Sequence, residues 1–532
     1  MIDLNNIEQA ILLARKGKTK EAETLYLEML EKEPDNDIIL SAAGLLYISI
    51  GNFGKACEYL ERAVSIKKSF GNVSALGLSY FEKGDYEKAA EILEESLKLG
   101  ENEDIYNKLI YCFFQIGKSQ KAADYSSIMH QKYPDSPNST ANMVKALTHS
   151  GKLIEAETLC VNYLKEHLDS GELWMHLGFL KELIYSDDNQ ARQCFEEAYK
   201  NGQPDALYNI AVSYQKQGNF AEAEKYYNKM LERYPNNPET LTSLGMCMMK
   251  QKKFKEGSSL FFNREKTSID KLSENPWTPD KEFEKEIVIL SDQGLGDHIM
   301  FARYLPFIKE KTEKLYVAAR EPLIKLFKKN YPEYEFITFD KINPKMQSIR
   351  ITDLAFALNL DFDHIPASNG YLNSEKADIK SNKLKVGLCW EAGSAGIRTM
   401  INRTININLL QPFLNLENVQ IYSFQVHDSM NGNERFPQMI NLAKDFKDFY
   451  DTACAIKAMD LIISVDTSVA HLSGALGQKT FLMLPYASDW RWFTDKKTTP
   501  WYDSVELFVQ NDSISWEKPI EDILCRLKEF SS

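Results

Sequence analysis

The sequence predicts a chain in two parts: an all-helical repeat array over residues 1–265, followed by an α/β part built on parallel strands. Three observations predict it. A glycine-containing turn signature recurs about every 34 residues through the first half. That rhythm stops near residue 265. From residue 286 onward, short β-branched runs alternate with helical patterns. The 532 residues are ample for at least two hydrophobic cores.

The repeat signature reads Gly17-Lys18-x-x-Glu21-Ala22, Gly51-Asn52-Phe53-Gly54-Lys55-Ala56 and Gly84-Asp85-Tyr86-Glu87-Lys88-Ala89. It returns at Gly117-Lys118-x-x-Lys121-Ala122, Gly151-Lys152-x-x-Glu155-Ala156 and Gly218-Asn219-Phe220-Ala221-Glu222-Ala223. Between the last two lies a degenerate unit centred on Asp188-Asn189-Gln190-Ala191, and a weak copy follows at Gln251 to Gly257. Each unit reads as helix, turn, and a second helix opening on a small alanine. Such a hairpin cannot bury its apolar face alone, and stacking the units buries it. The spacing resembles that of tetratricopeptide (TPR) repeats, about eight of them here. Apolar residues recur at helical spacing, as in Leu25, Tyr26, Met29 and Leu30. Several second helices run into a proline, as at Pro34, Pro134 and Pro235, which forces the turn into the next unit. The concave face of such a solenoid is expected to bind a peptide or protein; the alternative is that it only supports its neighbour.

Residues 266–285 are polar, contain Pro276 and Pro279, and read as a hinge. Strands are expected at Glu286–Ser291, Leu315–Ala319, Glu335–Phe339, Lys385–Trp390, Gln420–Phe424, Leu461–Val465 and Thr480–Leu484, with helices such as Asp297–Lys311 and Thr452–Met459 between them. This order implies doubly wound, Rossmann-like parallel sheets. A polar break at Ile365–Lys383 divides the region into lobes of residues 286–370 and 371–532, with a ligand cleft expected at the carboxyl ends of their strands.

Composition narrows the function. Hydrophobic content of 44% and charged content of 26% are those of a globular protein. A net charge of −13 disfavours nucleic acid and anionic membrane as main partners. The eight cysteines never form a Cys-x-x-Cys pair, which suits buried thiols in a reducing compartment. Residues 1–18 read as an amphipathic helix, not a signal peptide, and no apolar run approaches the ~18 residues of a membrane span. A cytoplasmic location is expected.

Four segments could carry chemistry. Ser291 to His298, at the end of the first strand of this half, holds Gln293, Gly294, Gly296 and Asp297 at a helix start. Asp297 is either an N-cap or a general base facing the cleft. Asp466, Thr467 and Ser468 open the helix after Leu461–Val465, a natural phosphate seat, with His471 one turn in as a ligand contact or a structural histidine. Cys389-Trp390-Glu391-Ala392-Gly393-Ser394 is again strand then small residues, followed by a loop with Arg398 and Arg403 that could neutralise phosphate. Trp490-Arg491-Trp492 could stack on a base or sugar, or plug the space between lobes. Asp361-x-Asp363 matches a metal-binding carboxylate pair only formally.

Taken in order, Gln293-Gly294-Leu295-Gly296-Asp297 with Phe301 to Pro306, then Gly387-Leu388-Cys389-Trp390, Asp466 to Leu472, and Asp489-Trp490-Arg491-Trp492 resemble the TPR-containing bacterial glycosyltransferases related to the heptosyltransferases of glycosyltransferase family 9. The resemblance implies the compact two-lobed GT-B fold, with the acceptor on the first lobe and the donor on the second. It implies an inverting, metal-independent transferase without a cofactor. Asp297 would be the catalytic base and Gln293, Gly294, Gly296 and His298 the acceptor-side loop. Trp390, Gly393, Arg403, Asp466, Thr467, Ser468, His471 and Trp490 would bind the nucleotide-sugar donor. Relatives similar to flagellin glycosyltransferases imply a protein acceptor, such as flagellin, held by the repeats and sugared on Ser/Thr. Some of them use a CMP-activated nonulosonic acid such as pseudaminic acid. Two positions depart from the pattern: Asp292 replaces a glutamate, and Thr498 to Asp503 replaces Asp-Ser-Pro-Trp-Tyr-Pro. The rival expectations are an O-linked N-acetylglucosamine-type transferase and a non-catalytic scaffold with a degenerate transferase lobe.

Overall fold

A computed structural model describes residues 4–532 apart from 362, 364, 367, 394–402, 494–496, 512–514 and 532. Among the described residues the first half is sixteen helices, α1 (Leu4–Arg15) to α16 (Phe254–Phe262), in eight successive hairpins. First helices of neighbouring hairpins pack on one another, α3 (Asp37–Ser49) on α5 (Phe70–Lys83), α5 on α7 (Glu103–Gln115), and α7 on α9 (Pro137–His149). The chain divides into two compact units, Met1–Ala206 and Leu207–Ser532. The last two hairpins therefore belong with the α/β part, and the compact boundary precedes the one expected at 265.

The hairpin turn has a physical reason to be glycine. At Gly84 (φ +84°) the chain enters the left-handed region; Gly84 N–H donates to Phe81 O and Asp85 N–H donates to Tyr80 O, closing the end of α5. The degenerate sixth unit places Ser186 in the left-handed region (φ 51°), and the eighth places Lys252 there (φ 66°), where no glycine marks the turn. The alanines of the signature, Ala56, Ala89, Ala122, Ala156, Ala191 and Ala223, are fully buried. That is why the position stays small.

The α/β part contains two sheets. The first has the order β1 (Asn275–Pro276), β5 (Gln347–Arg350), β2 (Glu286–Leu290), β3 (Lys314–Ala318), β4 (Glu335–Ile337), and every pairing is parallel. The second has the order β11 (Thr498–Thr499), β12 (Tyr502–Val509), β10 (Thr480–Leu484), β9 (Leu461–Val465), β6 (Leu384–Cys389), β7 (Val419–Ser423), β8 (Ile440–Asn441), with only the β11–β12 pair antiparallel.

Three expectations are corrected. The segment read as a hinge contributes edge strand β1 to the first sheet, and Trp277 N–H donates to Ser348 O at 2.7 Å while its ring is buried. Strand β5 was missed because Gln347-Ser348-Ile349-Arg350 has a single β-branched residue. Its polar side chains are buried but bonded: Gln347 accepts from Glu284 N–H (3.0 Å), and Arg350 pairs with Asp270. The helix expected over Asp297–Lys311 is broken into Leu295–Phe301, a 3₁₀ turn, and Leu305–Lys309, since Pro306 cannot continue it.

Gly84→Ala, which forces a Cβ into the left-handed region, should cost about 1–2 kcal/mol. Gly54→Ala, inside a helix with no Cβ contact closer than 3.9 Å, should stabilise by about 0.5–1 kcal/mol. Opposite shifts of the urea midpoint, read by circular dichroism, check both.

Candidate functional site

The site lies where the helix after β2 meets the helix after β9. Gly296, in Leu295–Phe301, faces the helix Ser468–Ala475 so closely that a Cβ there would sit 2.7 Å from His471 Cδ2. The carboxyl ends of both sheets thus converge on one place, as parallel-sheet ligand sites require.

On the first-sheet side, Gln293 takes a positive φ of 64°, and its carbonyl accepts from the Arg320 guanidinium at 2.8 Å. Gln293 and Gly294 are exposed. Asp297 is partly exposed; one carboxylate oxygen accepts from Gly294 N–H at 3.0 Å, and the other is ion-paired with Arg491. Asp297 is thus the third residue of its helix and not its N-cap; its side chain binds back to the backbone of the N-cap residue Gly294 and faces Arg491. His298 points the other way. It is fully buried, its Nε2 bonds Asp292 O at 2.9 Å, and burial pushes its pKa down to about 4. His298 is a neutral core residue rather than an acceptor contact.

On the second-sheet side, Asp466 is buried after β9; one oxygen accepts from Arg403 (3.0 Å) and the other lies 3.7 Å from His471 Nε2. Thr467 occupies the N-cap position but turns its hydroxyl to Ser464 at 3.1 Å, so it caps nothing. The first N–H groups of the Ser468–Ala475 helix have no side-chain cap and stand open to an anion. His471 is buried, its Nδ1 3.0 Å from Tyr502 Oη and its ring stacked on Trp492 at 5.0 Å. Burial lowers its pKa, against the pull of Asp466 and Asp297.

Two expected donor contacts are corrected. Trp390 is fully buried in the second-sheet core, with Ile407 and Ile405, and the Cβ that Gly432 lacks would lie 2.8 Å from its ring. Trp490 is also buried, against Phe254 and Phe261 of α16 and Trp501, so it is the packing plug. Gly393 is exposed at the end of the described segment, and Ser394 and Arg398 lie outside the described residues. Asp361 and Asp363 are exposed.

The residue undervalued in the sequence is Arg491. It binds Asp489 at 2.7 Å, pairs with Asp297, and lies 4.7 Å over the Trp490 ring. The neighbouring carboxylates hold its guanidinium charged despite burial, and burial that would raise Asp489 is outweighed by Arg491, so that carboxyl is lowered. The signal was the alternation Asp489-Trp490-Arg491-Trp492, which sends the charged pair to one side and the tryptophans elsewhere. Glu391, just after β6, is buried away from these groups: Oε2 accepts from Ser429 N–H at 3.0 Å, and Oε1 has no hydrogen-bond partner, with exposed His427 at 3.8 Å.

Both site loops are anchored on the last repeat hairpin, α15 (Pro238–Lys250) and α16. The Lys250 ammonium donates to the carbonyls of Ser488 (3.3 Å), Asp489 (3.1 Å) and Trp492, and to Ser488 Oγ (2.8 Å). Arg264, just beyond α16, is buried and bonds Asp292 (2.8 Å), Thr352 Oγ1 (2.7 Å) and Asp353. Asp292 immediately precedes the Gln293–Asp297 loop. With two carboxylates sharing one guanidinium, burial pushes the Asp353 carboxyl up to about 7, against the pull of Arg264.

Comparison with known proteins bears on the repeats. Tetratricopeptide repeat models match residues 39–70, 74–137 and 204–237, and a PPR repeat model matches residues 11–33. The chain is 27% identical over 287 residues to Protein FlbA of Caulobacter vibrioides, covering 47% of each. It thus spans about half the length of the curated relative it matches. Similar solved structures include a tetratricopeptide repeat protein from Parabacteroides merdae (16% identity, 46% of this chain and 98% of that one, TM-score 0.41). Yeast Tom70 is another (15% identity, 46% of this chain and 54% of that one, TM-score 0.39). The chain carries an N-terminal solenoid of TPR repeats followed by a C-terminal region of parallel sheets. No helix among the described residues is long and apolar enough to cross a membrane.

Arg264→Met strands two buried carboxylates and should cost about 3–5 kcal/mol, read as a lowered unfolding midpoint. For His298, the unfolded chain takes a proton near pH 6.5 and the folded chain only near 4. The stability of neutral burial is therefore complete above 6.5 and lost as pH falls towards 4, by about 3 kcal/mol. His298→Gln, which keeps a donor for Asp292 O, should lose less over that pH range in parallel thermal melts.

Proposed function

We propose that the chain is a protein O-glycosyltransferase of the GT-B kind, taking a sugar from a nucleotide donor to a Ser/Thr hydroxyl of a protein bound by its repeats. The observation that carries the reading is the convergence of Asp297 with an uncapped helix N-terminus, Asp466 and Arg403 at the carboxyl ends of two parallel sheets. A carboxylate base opposite an anion seat is what displacement at an anomeric carbon needs.

In the proposed step the acceptor oxygen forms its bond to the anomeric carbon as its proton passes to the Asp297 carboxylate. The bond from that carbon to the donor phosphate breaks, and the phosphate leaves with the electron pair and with inversion. Arg403 and the N–H groups from Ser468 onward take up its charge, without a divalent ion in this reading. Arg491 orients Asp297. The aspartate must exchange part of this ion pair for the acceptor hydroxyl, and a bound donor phosphate competes for the same guanidinium. A CMP-nonulosonate donor, a flagellin acceptor and a cytoplasmic location rest on the motif resemblance and belong to the same proposal.

A second reading is a non-catalytic scaffold. The Asp297–Arg491 pair favours it, because the arginine occupies a carboxylate oxygen that an acceptor hydroxyl would have to reach.

Asp297→Asn decides between them. It keeps the bond to Gly294 N–H, and a transferase should lose about 10²–10⁴-fold of its rate while its melting temperature still rises with the donor nucleotide. The assay is sugar transfer from CMP-, UDP- or GDP-sugars to a Ser/Thr acceptor, read by mass spectrometry. No transfer by the wild-type chain, and no thermal shift with any nucleotide, would leave the scaffold.

A further inference from the structure

A cation lies buried beside Tyr502, the tyrosine that bonds His471. Arg303, in the 3₁₀ turn after Leu295–Phe301, is fully buried. Its Nε donates to Met300 O at 2.9 Å, and its Nη1 donates to Trp501 O at 2.9 Å and Pro366 O at 3.2 Å. Among the described residues its Nη2 has no hydrogen-bond partner, and no carboxylate pairs with the guanidinium. The charge lies instead against aromatic faces, 4.7 Å from the Tyr371 ring and 4.9 Å from that of Tyr502. Carbonyls and rings offset only part of the cost of dehydrating it, and a methionine would fill the volume without that cost.

Tyr502 joins this charge to the site. It is fully buried, and the helix carrying His471 rests directly on its ring because Gly474 has no Cβ. Tyr502 Oη lies 3.0 Å from His471 Nδ1, so one of the two donates a hydrogen to the other. Burial lowers the His471 pKa, so the ring is neutral and carries a single hydrogen. Three observations make Tyr502 the donor. Burial pushes the phenol pKa well above its ordinary range, so the hydroxyl keeps its hydrogen. The guanidinium on the ring draws electron density from the phenol oxygen, which makes it a better donor and a poorer acceptor. At the far side of the imidazole, Nε2 faces Asp466 Oδ1 at 3.7 Å, where a hydrogen is attracted to the carboxylate and a lone pair repelled.

We propose that Tyr502, polarised by the buried Arg303, donates to His471 Nδ1 and fixes the imidazole hydrogen on Nε2, where it steadies Asp466. The other oxygen of Asp466 then stays on Arg403. Arg303 and Tyr502 are thus positioning residues, acting on the anion seat from behind His471. This also gives a role to Arg303 within the segment Phe301 to Pro306, which the proposed reaction leaves unused. The tautomer stands without the transferase reading; only its consequence for a donor phosphate rests on that reading.

The test is nitrogen-15 NMR of the full-length chain labelled at its histidine rings, with His471 assigned by its loss in His471→Gln. In the wild type Nε2 should give the signal of a protonated nitrogen and Nδ1 that of an acceptor. Besides burial, Asp466, Asp297 and Asp489 raise the pKa of this ring and Arg491 lowers it, and the substitutions below leave all four in place. Tyr502→Phe removes a bond that only the neutral ring can accept, so His471 should take up its second proton about one pH unit higher, a tenfold change. A Tyr502 that accepted from His471 would favour the charged ring, and its loss would move that uptake lower. Arg303→Met should shift it upward as well, and Arg303→Lys should not. Tyr331→Phe, whose lost hydroxyl bonds Ala302 O in the same core, should change nothing. Where the transferase reading holds, Tyr502→Phe should also raise the KM of whichever CMP-, UDP- or GDP-sugar is transferred about tenfold, with kcat little changed. A chain that transfers no sugar yet gives these spectra fails that reading and keeps this one. A hydrogen on Nδ1, a doubly protonated ring at neutral pH, a downward shift in Tyr502→Phe, or no shift in either Tyr502→Phe or Arg303→Met would overturn the proposal.

Discussion

The buried guanidinium of Arg264 is the constraint around which the C-terminal unit is organised. It sits between Asp292, which starts the loop to Asp297, and Asp353, beyond β5. Taking these charges out of water is costly, and the arrangement holds only because each partner is bonded: Asp292 also accepts from Thr352, and Arg264 also donates to Phe261 O. One side chain thereby fixes the end of the repeat array, the first site loop and the far side of the first sheet to each other. A slip of any of the three would strand a buried charge.

Lys250 does for the second loop what Arg264 does for the first. The carbonyls of Ser488, Asp489 and Trp492 turn towards its ammonium, and that curl presents Arg491 to Asp297 while Trp490 packs on α16. The last hairpin is thus part of the site's foundation, which explains why it belongs to the same compact unit as the sheets. Arg491 and Asp297 then close the site by pairing across it. Gly296 contributes by absence, since only a residue without a Cβ lets its helix lie against His471. Close approach of the two helices and pairing of the two loops depend on each other.

Much of the repeat half was legible in the sequence, because its logic is local. A glycine turn, a buried alanine and a hydrophobic stripe recur within one period, and each hairpin repeats the same solution. Even there, Ser186 and Lys252 take the left-handed turn without glycine, and no sequence signal marked them. In the second half, β9 and β10 were legible to the residue, being continuous apolar runs. Strand β5 was not, because its Gln347, Ser348 and Arg350 are buried by virtue of partners far along the chain.

The sequence by itself determined the repeat number, the sheet class and the segments from which the site is assembled, because periodicity and turn chemistry act over a few residues. Only the tertiary structure decided which members of those segments face the site. Trp390, Trp490 and His298 turn into cores, while Arg491 reaches across to Asp297. The physical reason is that side-chain direction at a strand end is set by what packs on each side of it. Those neighbours, α16 beneath Trp490 and Ile407 beside Trp390, come from other parts of the chain.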